Sequence, residues 1–121
     1  MPNIADYVVI RDTKFTVSSQ PGGDRDKDFD FGLESGADLH SRSILAFVLS
    51  VQKGCAFEVL VNKKKQLEYS FPGPTIISLH EVVNGGVLMA GPSNNIEFRI
   101  TAGSGTLEFK GVVIHYQRSI Q

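Results

Sequence analysis

The stretch Asn94–Gln117, NNIEFRITAGSGTLEFKGVVIHYQ, decides how this chain is read. Ile96, Phe98 and Ile100 alternate with Glu97, Arg99 and Thr101, the period of a strand with one buried face. Gly103-Ser104-Gly105 is a turn signal, so the stretch reads as two strands joined by a short turn, with Phe98 and Phe109 in the core on neighbouring strands. The second strand changes step. Leu107 and Phe109 point inward, yet strict alternation after them would bury Val113, His115 and Gln117 and expose Val112, Ile114 and Tyr116. One extra residue at Lys110-Gly111 restores an apolar inner face. A β-bulge at Gly111 is therefore expected, since glycine tolerates the backbone angles a bulge can require.

Outward from this stretch the same period recurs, and helical spacing is nearly absent. Tyr7–Ile10, Phe15–Ser18, Ile44–Gln52, Cys55–Asn62, Leu67–Phe71, Thr75–Val83 and the short Val87–Ala90 read as strands. Their separators are Lys53-Gly54, Pro72-Gly73-Pro74, Asn84-Gly85-Gly86 and a turn at Gly91-Pro92-Ser93-Asn94. Asn62–Gln66, with Lys63-Lys64-Lys65, reads as a solvated hairpin loop. Ile44–Leu49 is apolar at every position, as a central strand covered on both faces would be. About eight short strands at regular spacing predict an all-β, antiparallel β-sandwich, and 121 residues without repeat or linker predict a single domain over residues 1–121. Ser19–Ser43 is long and polar for a connection, and Asp28–Leu33 within it is a candidate edge strand.

Composition excludes several functions. A formal net charge of -1 leaves no basic footprint for nucleic acid. No apolar run reaches membrane-spanning length. One cysteine, Cys55, cannot form an internal disulfide, and the N-terminus lacks the pattern of a secretory signal; both point to a soluble, cytoplasmic protein. Cys55 itself reads as a small packed side chain.

Three segments resemble a known family. FEVLVNKKK (Phe57–Lys65) resembles the strand and asparagine-tipped turn of galactose-binding-like jelly rolls. GVLMAGPSNNIEFRI (Gly86–Ile100) resembles their L-x-x-G-x-N-x-I-x-F strand, and GTLEFKGVVIHYQ (Gly105–Gln117) their closing strand. The resemblance is to the non-catalytic carbohydrate-binding modules of this type and covers Phe57–Gln117. It implies a jelly-roll sandwich and a lectin-like, non-enzymatic role. The chain departs from the pattern at Lys63, where the family has glycine, and in having no tryptophan.

Candidate chemistry centres on GGDRDKDFDFG, Gly22–Gly32. Asp24, Asp26, Asp28 and Asp30 recur at alternate positions and offer the oxygen ligands Ca²⁺ requires. The glycine of an EF-hand loop has no counterpart, since Phe29 or Phe31 stands there. A solvated acidic loop is the competing reading, and no other cofactor is implied. For a carbohydrate, Asp28, Asp30, His40, Asn94 and Asn95 are the candidate hydrogen-bond partners. Tyr69 and Tyr116 lie at inward phases with their hydroxyls at the rim, while the phase of Tyr7 is open. His40, His80 and His115 match no metal-ligand spacing, and no nucleophile elbow or phosphate loop is present, so an enzyme is not expected. The alternative role is a structural subunit acting by homo-oligomerisation, through Ile44–Leu49 and exposed sheet edges.

Overall fold

The computed structural model describes residues 3–119. Nine strands are present: β1 (Asn3–Arg11), β2 (Phe15–Ser18), β3 (Asp26–Leu33), β4 (Ser43–Lys53), β5 (Cys55–Val61), β6 (Lys64–Phe71), β7 (Thr75–Val83), β8 (Gly91–Ala102) and β9 (Thr106–Ser119). All pairings are antiparallel. One sheet runs β1-β9-β4-β7, with β2 also on β9; the other runs β3-β8-β5-β6. The molecule is an antiparallel β-sandwich of the expected jelly-roll type, and no helix occurs among the described residues.

The core follows from the two-residue period. Leu45, Phe47, Leu49 and Val51 of β4 and Leu107, Phe109, Val112, Ile114 and Tyr116 of β9 face Phe57, Val59 and Val61 of β5 and Ile96, Phe98 and Ile100 of β8. Phe109 sits at the centre, its ring centroid 4.8 Å from Phe98, 5.2 Å from Phe15, 5.5 Å from Phe47 and 5.6 Å from Phe57. Edge and tilted geometries dominate these pairs, as the ring quadrupole favours.

The step change in β9 is a bulge. Ala46 pairs with Val113 but Val48 with Lys110, so β9 carries one residue more than β4 across that interval. Gly111 has φ +63°, a left-handed conformation that costs an L side chain about 1–2 kcal/mol. On either side of it Leu107, Phe109, Val112 and Ile114 are fully buried, and His115 is exposed.

Several sequence expectations change. β8 and β9 belong to different sheets, so Gly103–Gly105 carries the chain across the sandwich and does not close a hairpin. Phe98 and Phe109 meet across the core. The crossover passes tight against β5: a Cβ on Gly105 would come within 2.5 Å of the Cys55 sulfur and the Lys53 carbonyl. Val87–Ala90 is not a strand, and the expected turn at Gly91–Asn94 is the start of β8. The loop between β5 and β6 is two residues, Asn62-Lys63, with φ +51° and +69°, and Lys64 already pairs with Val61. Two consecutive left-handed residues are what a two-residue hairpin needs to match strand twist. β4 is covered on one face only; Ile44, Ala46 and Val48 on its other face stay partly exposed.

Candidate functional site

The sandwich has two outer faces, one on each sheet. On the four-stranded sheet, register places Asp26 beside Arg99, Asp28 beside Glu97 and Asp30 beside Asn95. The Asn95 side-chain amide donates to Asp28 at 2.9 Å and to Asp30 at 3.0 Å. Arg99 donates through Nε to Glu58 at 2.6 Å and covers that carboxylate, which is nearly buried. Partial burial and a hydrogen bond with Asp26 push the Glu97 carboxyl above its usual range, against the opposing pull of Lys63 and Arg99. Several polar groups of this face are thus paired with one another, while the Asn95 Oδ1 has no partner.

The sequence-predicted site residues divide accordingly. Asp28, Asp30 and Asn95 come together on this face. Asn94 does not join them, because adjacent strand residues face opposite ways. It is fully buried, accepts from the Met89 amide at 2.8 Å and from the Asn62 side chain at 3.0 Å, and donates to the Met89 carbonyl at 2.8 Å. Its role is to pin the segment before β8. His40 is exposed on the loop between β3 and β4, where Asp38 accepts from its amide at 3.0 Å.

Nor do the four aspartates converge on one point in this structure. Asp24 lies before β3, 3.8 Å from Lys27. Asp26, Asp28 and Asp30 share a face, but successive same-face residues of a strand stand about 7 Å apart. Between Asp28 and Asp30 the Asn95 amide takes the place a cation would need. Among the described residues no three His, Cys, Asp or Glu side chains converge.

The outer face of the five-stranded sheet is apolar along its middle rows, with Glu108, Lys110 and Ser50 at one end and Arg42, His115 and Gln117 at the other. Register aligns Tyr7, His115, Ile44 and Val82 in one row and Val9, Val113, Ala46 and His80 in the next. Tyr7 is 61% exposed and its ring centroid stands 6.1 Å from that of His115. Beside this pair a shallow depression of about 160 Å³ is lined by Ala5, Arg42, Ile44, His115 and Gln117, with Tyr116. Apolar walls with a few convergent polar groups are the usual make-up of a ligand site. A depression on the opposite side, lined by Ala56, Glu68, Tyr69, Ser70 and Thr101 among others, offers its ring less freely: the Tyr69 hydroxyl is bonded to Glu81.

Sequence reasoning left Tyr7 undecided and did not single out Arg42 or Gln117. The phase of Tyr7 is set by its pairing with His115, a partner more than a hundred residues away. Nucleophilic chemistry finds no footing at Cys55, whose thiol is buried and pushed up by that burial.

No protein-family model matches the chain, and no curated protein is similar to it in sequence. Solved structures share the fold. A dimeric latent PorU from Porphyromonas gingivalis matches 98% of this chain with a TM-score of 0.74 at 7% identity, and this chain spans 13% of that one. A variant of a family 29 carbohydrate-binding module complexed with mannohexaose matches 93% of this chain and 92% of its own, with a TM-score of 0.58 at 13% identity. A family 4 carbohydrate-binding module matches 92% of this chain and 75% of its own, with a TM-score of 0.58 at 15% identity. At these identities the likeness is one of fold, and it extends the resemblance of Phe57–Gln117 to nearly the whole chain: the chain has the β-sandwich fold of carbohydrate-binding modules.

Proposed function

We propose that this chain is a non-catalytic carbohydrate-binding module whose ligand lies on the outer face of the five-stranded sheet, against Tyr7. The observation that carries the reading is the exposed Tyr7 ring next to His115, which itself lines a neighbouring depression with Arg42 and Gln117. A pyranose has an apolar face that covers an aromatic ring and equatorial hydroxyls that reach planar donors and acceptors around it. The Arg42 guanidinium, the His115 imidazole and the Gln117 amide supply those partners. The shared fold with modules of families 29 and 4 supports the same role. The Asp28–Asp30–Asn95 cluster offers acceptors but no exposed ring for a sugar face, so it serves as the comparison site.

The test is a glycan-array screen followed by titration of the best ligand. Tyr7→Ala removes only an exposed side chain, so the fold is retained while affinity falls tenfold or more, about 1.4 kcal/mol. Binding that survives Tyr7→Ala and is lost in Asn95→Ala would place the ligand on the other face and refute the assignment. No binding to any glycan would refute the reading itself.

A further inference from the structure

The sandwich is open, so each sheet ends in strands with unpaired backbone groups, and three of these edges are blunted. β1 carries Asp6 and Arg11, and its ladder is interrupted between Val9 and Arg11. β3 carries Asp26, Lys27, Asp28 and Asp30 beside a register shift at Phe31–Leu33. β6 carries Lys64, Lys65 and Glu68 and has a shift opposite Val59–Leu60. Charges and bulges are how natural proteins keep edges from pairing with another chain. β7 has neither defence. Its ladder to β4 is unbroken over nine residues, Thr75–Val83, and it holds no proline. Its single formal charge, Glu81, is bonded to the Tyr69 hydroxyl. Ile76 is 77% and Val82 42% exposed, both on the outer face, and among the described residues β7 pairs with β4 alone.

We infer that β7 is a homodimerisation edge, on which two copies pair their Thr75–Val83 strands antiparallel about a two-fold axis at Leu79. The strand is self-complementary in that register. On the outer face Ile76 meets Val82 of the second copy and Ser78 meets His80, so apolar lies against apolar and polar against polar. On the inner phase Leu79 meets its own copy, Thr75 meets Val83, and Ile77 lies along the methylenes of Glu81. Shifting the axis to Ser78 would set Ile76 against His80, and shifting it to His80 would set Ser78 against Val82. Each copy has one such edge, so pairing closes at two and does not propagate. The five-stranded sheets then join edge to edge. The Tyr7 face lies at the opposite end of each sheet and stays open, so the inference does not depend on the carbohydrate reading.

Analytical ultracentrifugation of the chain, with Ile76→Lys, Val82→Glu and the double variant, tests the register. The wild type sediments as a dimer. Each single variant, altered at an exposed position, keeps its circular dichroism spectrum and a cooperative melt but raises the dimer dissociation constant about tenfold or more, because two-fold symmetry repeats the mismatch. The double variant recovers the dimer, since the new Lys and Glu face each other only across the Leu79 axis; within one strand they lie six residues apart. A wild-type monomer up to millimolar concentration, a larger polymer, a dimer indifferent to Ile76→Lys, or no recovery in the double variant would each overturn the inference.

Discussion

Deleting Gly111 is the severest test of how β9 is built. Without the extra residue, everything from Val112 onward turns over. Val112 and Ile114 at 0% exposure and Tyr116 at 3% would face water. Each forfeits about 1.5–3 kcal/mol of burial, about 5–9 kcal/mol together. His115 and Gln117 would enter the core without partners, adding about 1–3 kcal/mol each. Val113 turning inward returns up to about 1.5–3 kcal/mol, which leaves a net loss of about 4–13 kcal/mol, comparable with the whole stability of an ordinary domain. Gly111→Ala is the calibrating variant. A Cβ there meets nothing within 4 Å, so only the left-handed backbone angle is strained, at about 1–2 kcal/mol. Urea denaturation followed by circular dichroism separates the two: the alanine variant unfolds cooperatively at slightly lower urea, and the deletion shows no folded baseline. A deletion variant that unfolds cooperatively with a loss no larger than that of Gly111→Ala would show that the register of β9 does not depend on this residue.

Three further outcomes follow from the geometry. Lys63→Gly relieves a left-handed lysine at φ +69° in the β5–β6 turn and should stabilise the fold by about 1 kcal/mol in the same urea assay; a neutral or destabilising result would contradict the strain argument. Glu97 is held above the ordinary carboxylate range, so its ionisation opposes folding at neutral pH, and that penalty is absent below its unfolded value, about pH 4. Glu97→Gln should therefore raise the melting temperature at neutral pH, with a gain that shrinks as pH falls through the carboxylate range; a gain that grows toward acid would reverse the assignment. Melting curves in calcium and in excess chelator should coincide, because Asn95 fills the space between Asp28 and Asp30; a calcium-dependent rise would show that these side chains regroup around the ion.

What was legible in the sequence was local. The two-residue period placed Phe98, Phe109 and Ile114 inward, and a conflict of phase located the bulge at Gly111. What escaped depended on partners distant in the chain. Gly-Ser-Gly suits a hairpin and a crossing between sheets equally well, because the turn bends the chain the same way and only the packing of Gly105 on Cys55 distinguishes them. Asn94 and Asn95 read alike as candidate ligand contacts, although the inward phase of Ile96 already assigns Asn94 to the core. The role of Asn62 as a hub, bonded to Val87, Asn94 and Asn95, has no local signature at all. The Tyr7 site is assembled from β1, β9 and the start of β4, drawn from both ends and the middle of the chain, and so it emerges only with the sheet order.

The proposed binding face is tested most directly by mapping backbone amide NMR shifts while a panel of oligosaccharides, mannohexaose among them, is titrated in. The account predicts saturable shifts concentrated on Ala5–Val9, Arg42–Ile44 and Val113–Gln117, with Asp28, Asp30 and Asn95 unmoved. Shifts concentrated on Asp28, Asp30, Asn95 and Glu97, or no saturable shift with any sugar, would contradict it.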